Sequence, residues 1–318
     1  MDVFHGWHDV PETLKGASLA IGNFDGVHHG HRAVFDIAKN AARNSTLAGA
    51  MVFEPHPRKF FQPKKPLFQL TSLNRKLELL AACGLGLVIV LPFDAELANF
   101  SAESFVHEIL VESFSIRHAT VGYNFFFGKD RHGGPAILRD LGEKYGFGVS
   151  IVEPVGSSGE IFSSTRIREM LAEGDVAGAA EMLGNCWQVE GVVESGAGRG
   201  TGLGFPTANI RLAEGQLLGH GIYAVRVKAD HEWHDGAAYL GTRPTFDAGP
   251  PLLETFLFDF DGDLYGKRIT VEFIGFVRPD AKFRSGVDLA TQMHEDCEKA
   301  KVILQNAAQT SAQEVNGS

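Results

Sequence analysis

The stretch AIGNFDGVHHGHR, residues 20–32, sets His28 and His31 three positions apart on either side of Gly30, where a short apolar run gives way to a helical pattern. If a helix begins near His29, both rings lie around its first turn. Backbone N–H groups lack partners there and the helix dipole is positive. Such a place attracts phosphate. It also disfavours a protonated imidazole, so the two rings could act as neutral N–H donors to an anion. Gly26 and Gly30 allow close approach of backbone and ligand. Taken alone, HHGH fits equally a polar helix start with solvent-facing histidines, or a metal site. His29 is expected to face solvent.

A second constellation is FSSTRIRE, residues 162–169. Hydroxyls before a helix cap it. On that helix Arg168 is four residues past Ser164 and three past Thr165, so its guanidinium shares their face. Hydroxyls, free N–H groups and an arginine fork make a cradle for a polyphosphate. A third is GFPTANI, residues 204–210, after the glycine-rich GAGRGTGLG that includes Gly202. It reads either as a flexible loop with a turn at Pro206, or as oxygen ligands for Mg²⁺ and ATP phosphates. Thr207 and Asn209 alternate along an extended segment and can point to one side. Glu254, in LLETFLFDF, is either a solvent-facing strand residue or a carboxylate able to take a proton from an alcohol attacking a γ-phosphate. Asp259, Asp261 and Asp263 only partly meet calcium-loop spacing and read as a turn. With 24 phenylalanines against three tryptophans, most Phe are core. FFFG (125–128) and KFF (59–61) are candidates to line a flat apolar ligand.

These residues need elements to hold them. SLAIGNF (18–24), LAGAMVF (47–53), LGLVIVL (85–91), HATVGY (118–123) and FGVSIVE (147–153) read as strands. Helical spacing separates them at 31–42, 73–83, 101–113 and 135–145. That alternation predicts a parallel sheet with crossover helices, whose ligands bind beyond the carboxyl ends of the strands. FSSTRIREMLAEGDVAGAAEMLGN (162–185) reads as two helical stretches broken at Gly174. From about Gln188 short strands separated by Gly, Pro and Asp predict a small barrel or sandwich closed by a helix over 288–304. The expected layout is 1–185, 186–305 and a frayed polar tail at 306–318. With 318 residues, a net charge of -10, 44% hydrophobic and 21% charged residues, a protein built mainly to hold nucleic acid is disfavoured. Three dispersed cysteines without a CxxC pair, no signal peptide and no membrane-length apolar run place it in the cytoplasm with no membrane partner. The oligomeric state stays open. A parallel sheet, an HxGH pair after its first strand and a second phosphate cradle after its last suggest nucleotidyl transfer.

GNFDGVHHGH resembles the GxFDGxHxGH signature of the adenylyltransferase half of bacterial bifunctional riboflavin kinase/FAD synthetases. The likeness continues in the family's order through FEPHP (53–57), VGYNFFFGKDRHGG (121–134) and FSSTRIREMLAEGDVAGAAEMLG (162–184). It runs on through GRGTGLGFPTANI (198–210), GTRPTF (241–246), LETFLFDFDGDLYGK (253–267) and VRPDAKFRSGVDLATQMHEDCEKA (277–300). The resemblance implies a Rossmann-like nucleotidyltransferase domain followed by a β-barrel kinase domain with a C-terminal helix. Riboflavin would be phosphorylated to FMN in the second and FMN adenylylated to FAD in the first, with ATP and Mg²⁺ used in each step. ATP would be bound by Gly22, Asn23, Phe24, Gly26, His28, His31, Ser163, Ser164, Thr165 and Arg168, and in the second half by Gly202 and Thr207. Thr207 and Asn209 would hold Mg²⁺, Glu254 would be the general base, and Asn124, Phe125 and Phe61 would meet the flavin. At Asn124 many members carry Asp, and Asn keeps the size but not the charge. A kinase with an impaired first half, or a flavin-binding regulator without catalysis, are the competing readings.

Overall fold

The computed structural model describes residues 1–42, 47–157, 159–194, 205, 207–213, 215–241 and 252–316. Gly202, Pro206, the rest of the glycine-rich stretch and residues 242–246 of GTRPTF lie outside the described residues. The chain separates into two compact units, Met1–Ser164 and Thr165–Ser318.

The first unit is built on strands β1 (Asp2–His5), β2 (Ser18–Ile21), β3 (Ala48–Glu54), β4 (Leu87–Pro92), β5 (His118–Gly122) and β6 (Gly148–Val152). Helices α1 (His29–Ala42), α2 (Pro57–Phe61), α3 (Leu73–Ala82), α4 (Ala95–Asn99), α5 (Ala102–Ser104, continued by a wider-wound helix to Ser113) and α6 (Pro135–Tyr145) connect them. The sheet order is β1-β4-β3-β2-β5-β6, and every pairing is parallel. Side chains alternate across a strand. Leu19, Ile21, Met51, Leu87 and Ile89 face a core with Phe105, Ile109 and Phe114, while Ala20, Ala50, Val52, Val88 and Val90 face one with Val34, Phe35 and Leu80. Burial on both faces explains why LVIVL shows no polar alternation. The edge strand β1 is an addition to the five strands expected from sequence. It is mostly exposed and carries His5 and Asp2, so it has no apolar run to announce it. A two-stranded hairpin, β7 (Gly156–Ser157) and β8 (Glu160–Ile161), ends this unit.

Helices α7 (Ser164–Glu173) and α8 (Val176–Leu183), broken at Gly174 as expected, lead the second unit, which starts one residue into α7. Gly174 adopts φ +87°, and Asp175 then caps α8 by accepting the Gly178 N–H at 2.9 Å. The sequence reading draws its boundary at 185, after these helices. In packing they go with the barrel, since Gly174 lies against Phe276 and Gly219 donates its N–H to the Leu171 carbonyl at 2.9 Å. The barrel is closed, in the order β10-β13-β12-β11-β14-β9, from β9 (Gln188–Glu194), β10 (Ala208–Arg211), β11 (Gly221–Ala229), β12 (Glu232–Leu240), β13 (Leu252–Leu257) and β14 (Arg268–Pro279). All its pairings are antiparallel. Helix α9 covers it and runs from Gly286 to Asn316. The frayed tail expected from 306 is therefore a correction. QNAAQTSAQEVN contains no Gly or Pro and is rich in helix formers. Ala300 and Leu304, both buried, anchor the helix that it extends.

Candidate active sites in two units

The central strand β2 ends where the strand order reverses. The chain steps outward through β3 and β4, then returns to β5 on the other side of β2. Loops leaving such a switch point line the usual ligand crevice. The loop after β2 is tightly wound, with positive φ at Phe24 (+47°), Gly26 (+90°) and Val27 (+49°). Two of these residues have a Cβ, so surrounding contacts must hold the conformation. Phe24 supplies one anchor. It is buried edge-on against Phe35 (4.7 Å) and His31 (5.2 Å). Asp25 supplies the other. Its buried carboxylate accepts the N–H groups of Leu70 and Thr71 at 3.1 Å and the Thr71 hydroxyl at 3.2 Å. The Gly26 N–H donates to the Thr71 hydroxyl at 3.2 Å, and Ser164 donates its hydroxyl to the Asp25 carbonyl at 2.9 Å.

Helix α1 starts at His29, so His28 occupies its cap. The His28 Nδ1 accepts the His31 N–H at 3.3 Å, which leaves the ring proton to Nε2. The His28 and His31 rings stack at 3.6 Å, tilted by 20°. Two positive rings that close would repel, and the helix N-terminus adds to the penalty. The arrangement therefore suits neutral donors. His29 departs from the expectation of a solvent-facing ring: it is half-buried, 5.3 Å from Phe162. The short linker FSS doubles back beside the loop, and that contact is invisible at the spacing of the motif. Ser163 and Ser164 are half-buried. Thr165, exposed, and Arg168, half-buried, follow on α7 in the second unit.

Loops from the strands flanking β2 carry the aromatic residues. After β3, Phe61 is 62% exposed, its ring edge-on to Phe60 and Phe93 at 5.3 and 5.6 Å. After β5, Asn124 is exposed, while Phe125 stacks on the buried Phe127 at 5.5 Å. The outward-facing ring of that trio is Phe126, with the Arg131 guanidinium over it at 5.0 Å.

In the barrel, Asn209, Glu254 and Tyr239 lie directly opposite one another on β10, β13 and β12. Directly opposed residues share a face with Cβ atoms about 5 Å apart. Asn209 is buried and Glu254 half-buried. The Asn209 amide donates to the Thr207 carbonyl at 3.2 Å. Its carbonyl oxygen stays on the acceptor end, suited to a hard cation. Burial pushes the Tyr239 phenol up to about 12, helped by the Asp280 carboxylate that accepts its O–H and by the charge of Glu254. Arg278 grips the buried Asp296 of α9 with Nε and Nη2 at 2.7–3.0 Å. Among the described residues no group of three or more His, Cys, Asp or Glu is placed to hold a metal.

A family model described as FAD synthetase matches residues 10–166, and one described as riboflavin kinase matches residues 183–304. A bifunctional riboflavin kinase/FMN adenylyltransferase from Haemophilus influenzae is 36% identical over 96% of this chain and 99% of its own length. The chain belongs to the bifunctional riboflavin kinase/FMN adenylyltransferase family. Its Escherichia coli relative of the same name is also 36% identical, over 93% of this chain and 96% of that one. A crystal structure described as a macrolide-efflux protein from Streptococcus pneumoniae shares the fold, with a TM-score of 0.83 and 27% identity over 93% of this chain and 97% of that chain. Efflux is said of that protein; here, among the described residues, no helix is long and apolar enough to cross a membrane.

An FAD synthetase domain thus precedes a riboflavin kinase domain, with adenylyl transfer in the parallel-sheet half and phosphorylation in the barrel half. Sequence reasoning passed over Asp25, Lys76, Tyr239 and the Arg278–Asp296 pair. For Lys76 a signal was present. In LNRKLELLAA it stands three residues after Leu73, three before Leu79 and four before Leu80, where the helical period calls for an apolar side chain. The other three depend on contacts 15 to 46 residues away and have no local signature.

Proposed function

We propose that the two reactions are carried out by separate residue sets. In the first half an FMN phosphate oxygen attacks the α-phosphorus of ATP, and pyrophosphate leaves. His28 and His31 donate hydrogen bonds to the ATP phosphates, with the backbone N–H groups of Asn23 and Phe24 nearby in sequence, while Gly22 and Gly26, whose N–H groups are held by the Met51 carbonyl and the Thr71 hydroxyl, let the phosphates approach the loop closely. Ser163, Ser164, Thr165 and Arg168 add hydroxyls and a cation. Phe24 contributes through its backbone, because its ring is committed to the core. Asn124, Phe125 and Phe61 meet the flavin. Phe61 is the exposed ring that could do so without rearrangement.

In the second half the riboflavin primary hydroxyl attacks the γ-phosphorus of ATP. Glu254 takes the hydroxyl proton, and ADP leaves. Thr207 and Asn209 would hold Mg²⁺, which when bound screens the phosphate charge. The functional division follows 1–185 and 186–305. The three described cysteines are free thiols, in keeping with a cytoplasmic setting. The observation that carries this reading is the register that sets Asn209 opposite Glu254 in one unit while the stacked His28–His31 pair caps α1 in the other. The test is a time course with riboflavin, ATP and Mg²⁺, separating the flavins. FMN followed by FAD is expected. FMN alone would mean an inactive first half, and neither product would mean a binding protein.

A further inference from the structure

Thr71 is buried and stands just before Ser72, the cap of α3. Its hydroxyl donates to Asp25 Oδ1 at 3.2 Å and accepts the Gly26 N–H at 3.2 Å. Its backbone N–H donates to the same Oδ1 at 3.1 Å. An ionised carboxylate only accepts and an amide N–H only donates, so the group between them must do both. A hydroxyl does; valine, of nearly the same shape, does neither. Thr71 thus grips two consecutive residues of the loop after β2, from 45 and 46 residues further along the chain. The gripped peptide is a demanding one. Gly26 has φ +90°, and Val27 beside it holds +49° with a branched side chain. Such a conformation persists only where its surroundings over-determine it. His28 follows directly. Its ring accepts the His31 N–H at 3.3 Å and stacks on the His31 ring at 3.6 Å. A shift of the Gly26 peptide is therefore passed to both rings, with Val27 alone between it and His28.

We propose that Thr71 is a positioning residue for adenylyl transfer: its hydroxyl, bridging the Asp25 carboxylate and the Gly26 N–H, sets the orientation of the loop that carries His28 and His31. The proposal rests on the reading that those histidines donate to the ATP phosphates. Without the hydroxyl, the buried Gly26 N–H loses its acceptor and Asp25 Oδ1 loses one donor. The backbone N–H groups of Leu70 and Thr71 still hold the carboxylate. Asp25 therefore stays tied to the approach of α3 while the Gly26 peptide is released. The hydroxyl is engaged by the loop on both sides, so its loss appears in turnover rather than in flavin affinity.

The test compares Thr71→Val, Thr71→Ser, His31→Ala and the Thr71→Val/His31→Ala double variant in the full-length enzyme. FMN-to-FAD kcat and the KM for FMN are measured per folded molecule, with hydrogen exchange of the β2, β3 and β4 amides giving the folded fraction. Misplacing donors by about 1 Å can cost on the order of 10²-fold in rate, so Thr71→Val should lower kcat about 10- to 100-fold with KM for FMN little changed. Thr71→Ser keeps the bridge and should restore turnover. The Gly26 amide should exchange faster in Thr71→Val, relative to the strand amides, than in the parent. In the double variant the two losses should fall short of multiplying, because a misplaced loop costs less once His31 is gone. Riboflavin phosphorylation is the internal reference and should persist. Parent-like kcat per folded molecule in Thr71→Val, beside an impaired His31→Ala, would overturn the proposal alone. So would losses that simply multiply, or a Thr71→Ser as slow as Thr71→Val. If Thr71→Val does not fold, Thr71→Ala takes its place with the same outcomes deciding. A silent His31→Ala would instead remove the histidine reading, and the proposal with it.

Discussion

Replacing Asp25 by Asn preserves size and removes only the charge and one acceptor. In the folded protein the carboxylate takes the Leu70 N–H at both oxygens, and the Thr71 N–H and hydroxyl at Oδ1. An Asn oxygen placed at Oδ1 keeps the Thr71 donors but turns its NH₂ toward the Leu70 N–H. Hydrogen bonds to a charged group are worth about 1 kcal/mol more than neutral ones. Three donors lose that increment, so the first unit should be destabilised by about 3 kcal/mol. At 1.4 kcal/mol per decade this raises its unfolding equilibrium constant on the order of 10²-fold. Native-state hydrogen exchange reads that number directly. The slowest amides of β2, β3 and β4 should exchange on the order of 10²-fold faster, with barrel amides as the internal reference. Unchanged protection in those three strands would refute the reasoning. Asp25 would then be a spectator of the Leu70–Thr71 turn rather than its anchor.

Glu254→Gln should abolish riboflavin phosphorylation and leave FMN adenylylation nearly intact; wild-type kinase activity in that variant would remove the general base. His31→Ala should cut FMN-to-FAD conversion by on the order of 10²-fold, while FMN formation from riboflavin persists. His29→Ala should have a smaller effect than His31→Ala, through loss of the Phe162 contact, and a comparison in one FAD-formation assay ranks the two. His118, whose Nε2 lies 2.9 Å from the Ser150 hydroxyl, has its pKa lowered from 6.5 by burial. A depressed folded-state value means that the unfolded chain binds the proton more readily. The stability His118 contributes is therefore present above pH 6.5 and is lost as pH falls through the folded pKa. Urea midpoints across pH 7 to 5 should fall less steeply in His118→Gln than in the parent; equal slopes would remove His118 from the acid sensitivity.

The alternation of apolar runs and helical spacing was enough to read a parallel α/β half followed by a β-rich half. The reason is physical: doubly buried strands such as LVIVL and amphipathic helices such as α1 carry their period in the local residue order. The histidine pair was legible for the same reason, because His28, Gly30 and His31 fall within one helical turn and the helix start gives them a shared direction. The exposed strand β1 and the helical residues 305–316 were missed. The first has almost no apolar period, and the second draws its helix from Ala300 and Leu304 packed on the barrel. Tertiary structure alone decided what lies opposite what. Asn209, Tyr239 and Glu254 are separated by 15 to 45 residues and meet only because strand register aligns them. Asp25 finds Leu70 and Thr71 across more than 40 residues. Lys76 shows the division most clearly. Its misfit on an apolar helix face is written in LNRKLELLAA, but that the side chain ends up 1% exposed is decided by the fold around α3. Burial depends on what packs against a helix, and that leaves no period along the chain.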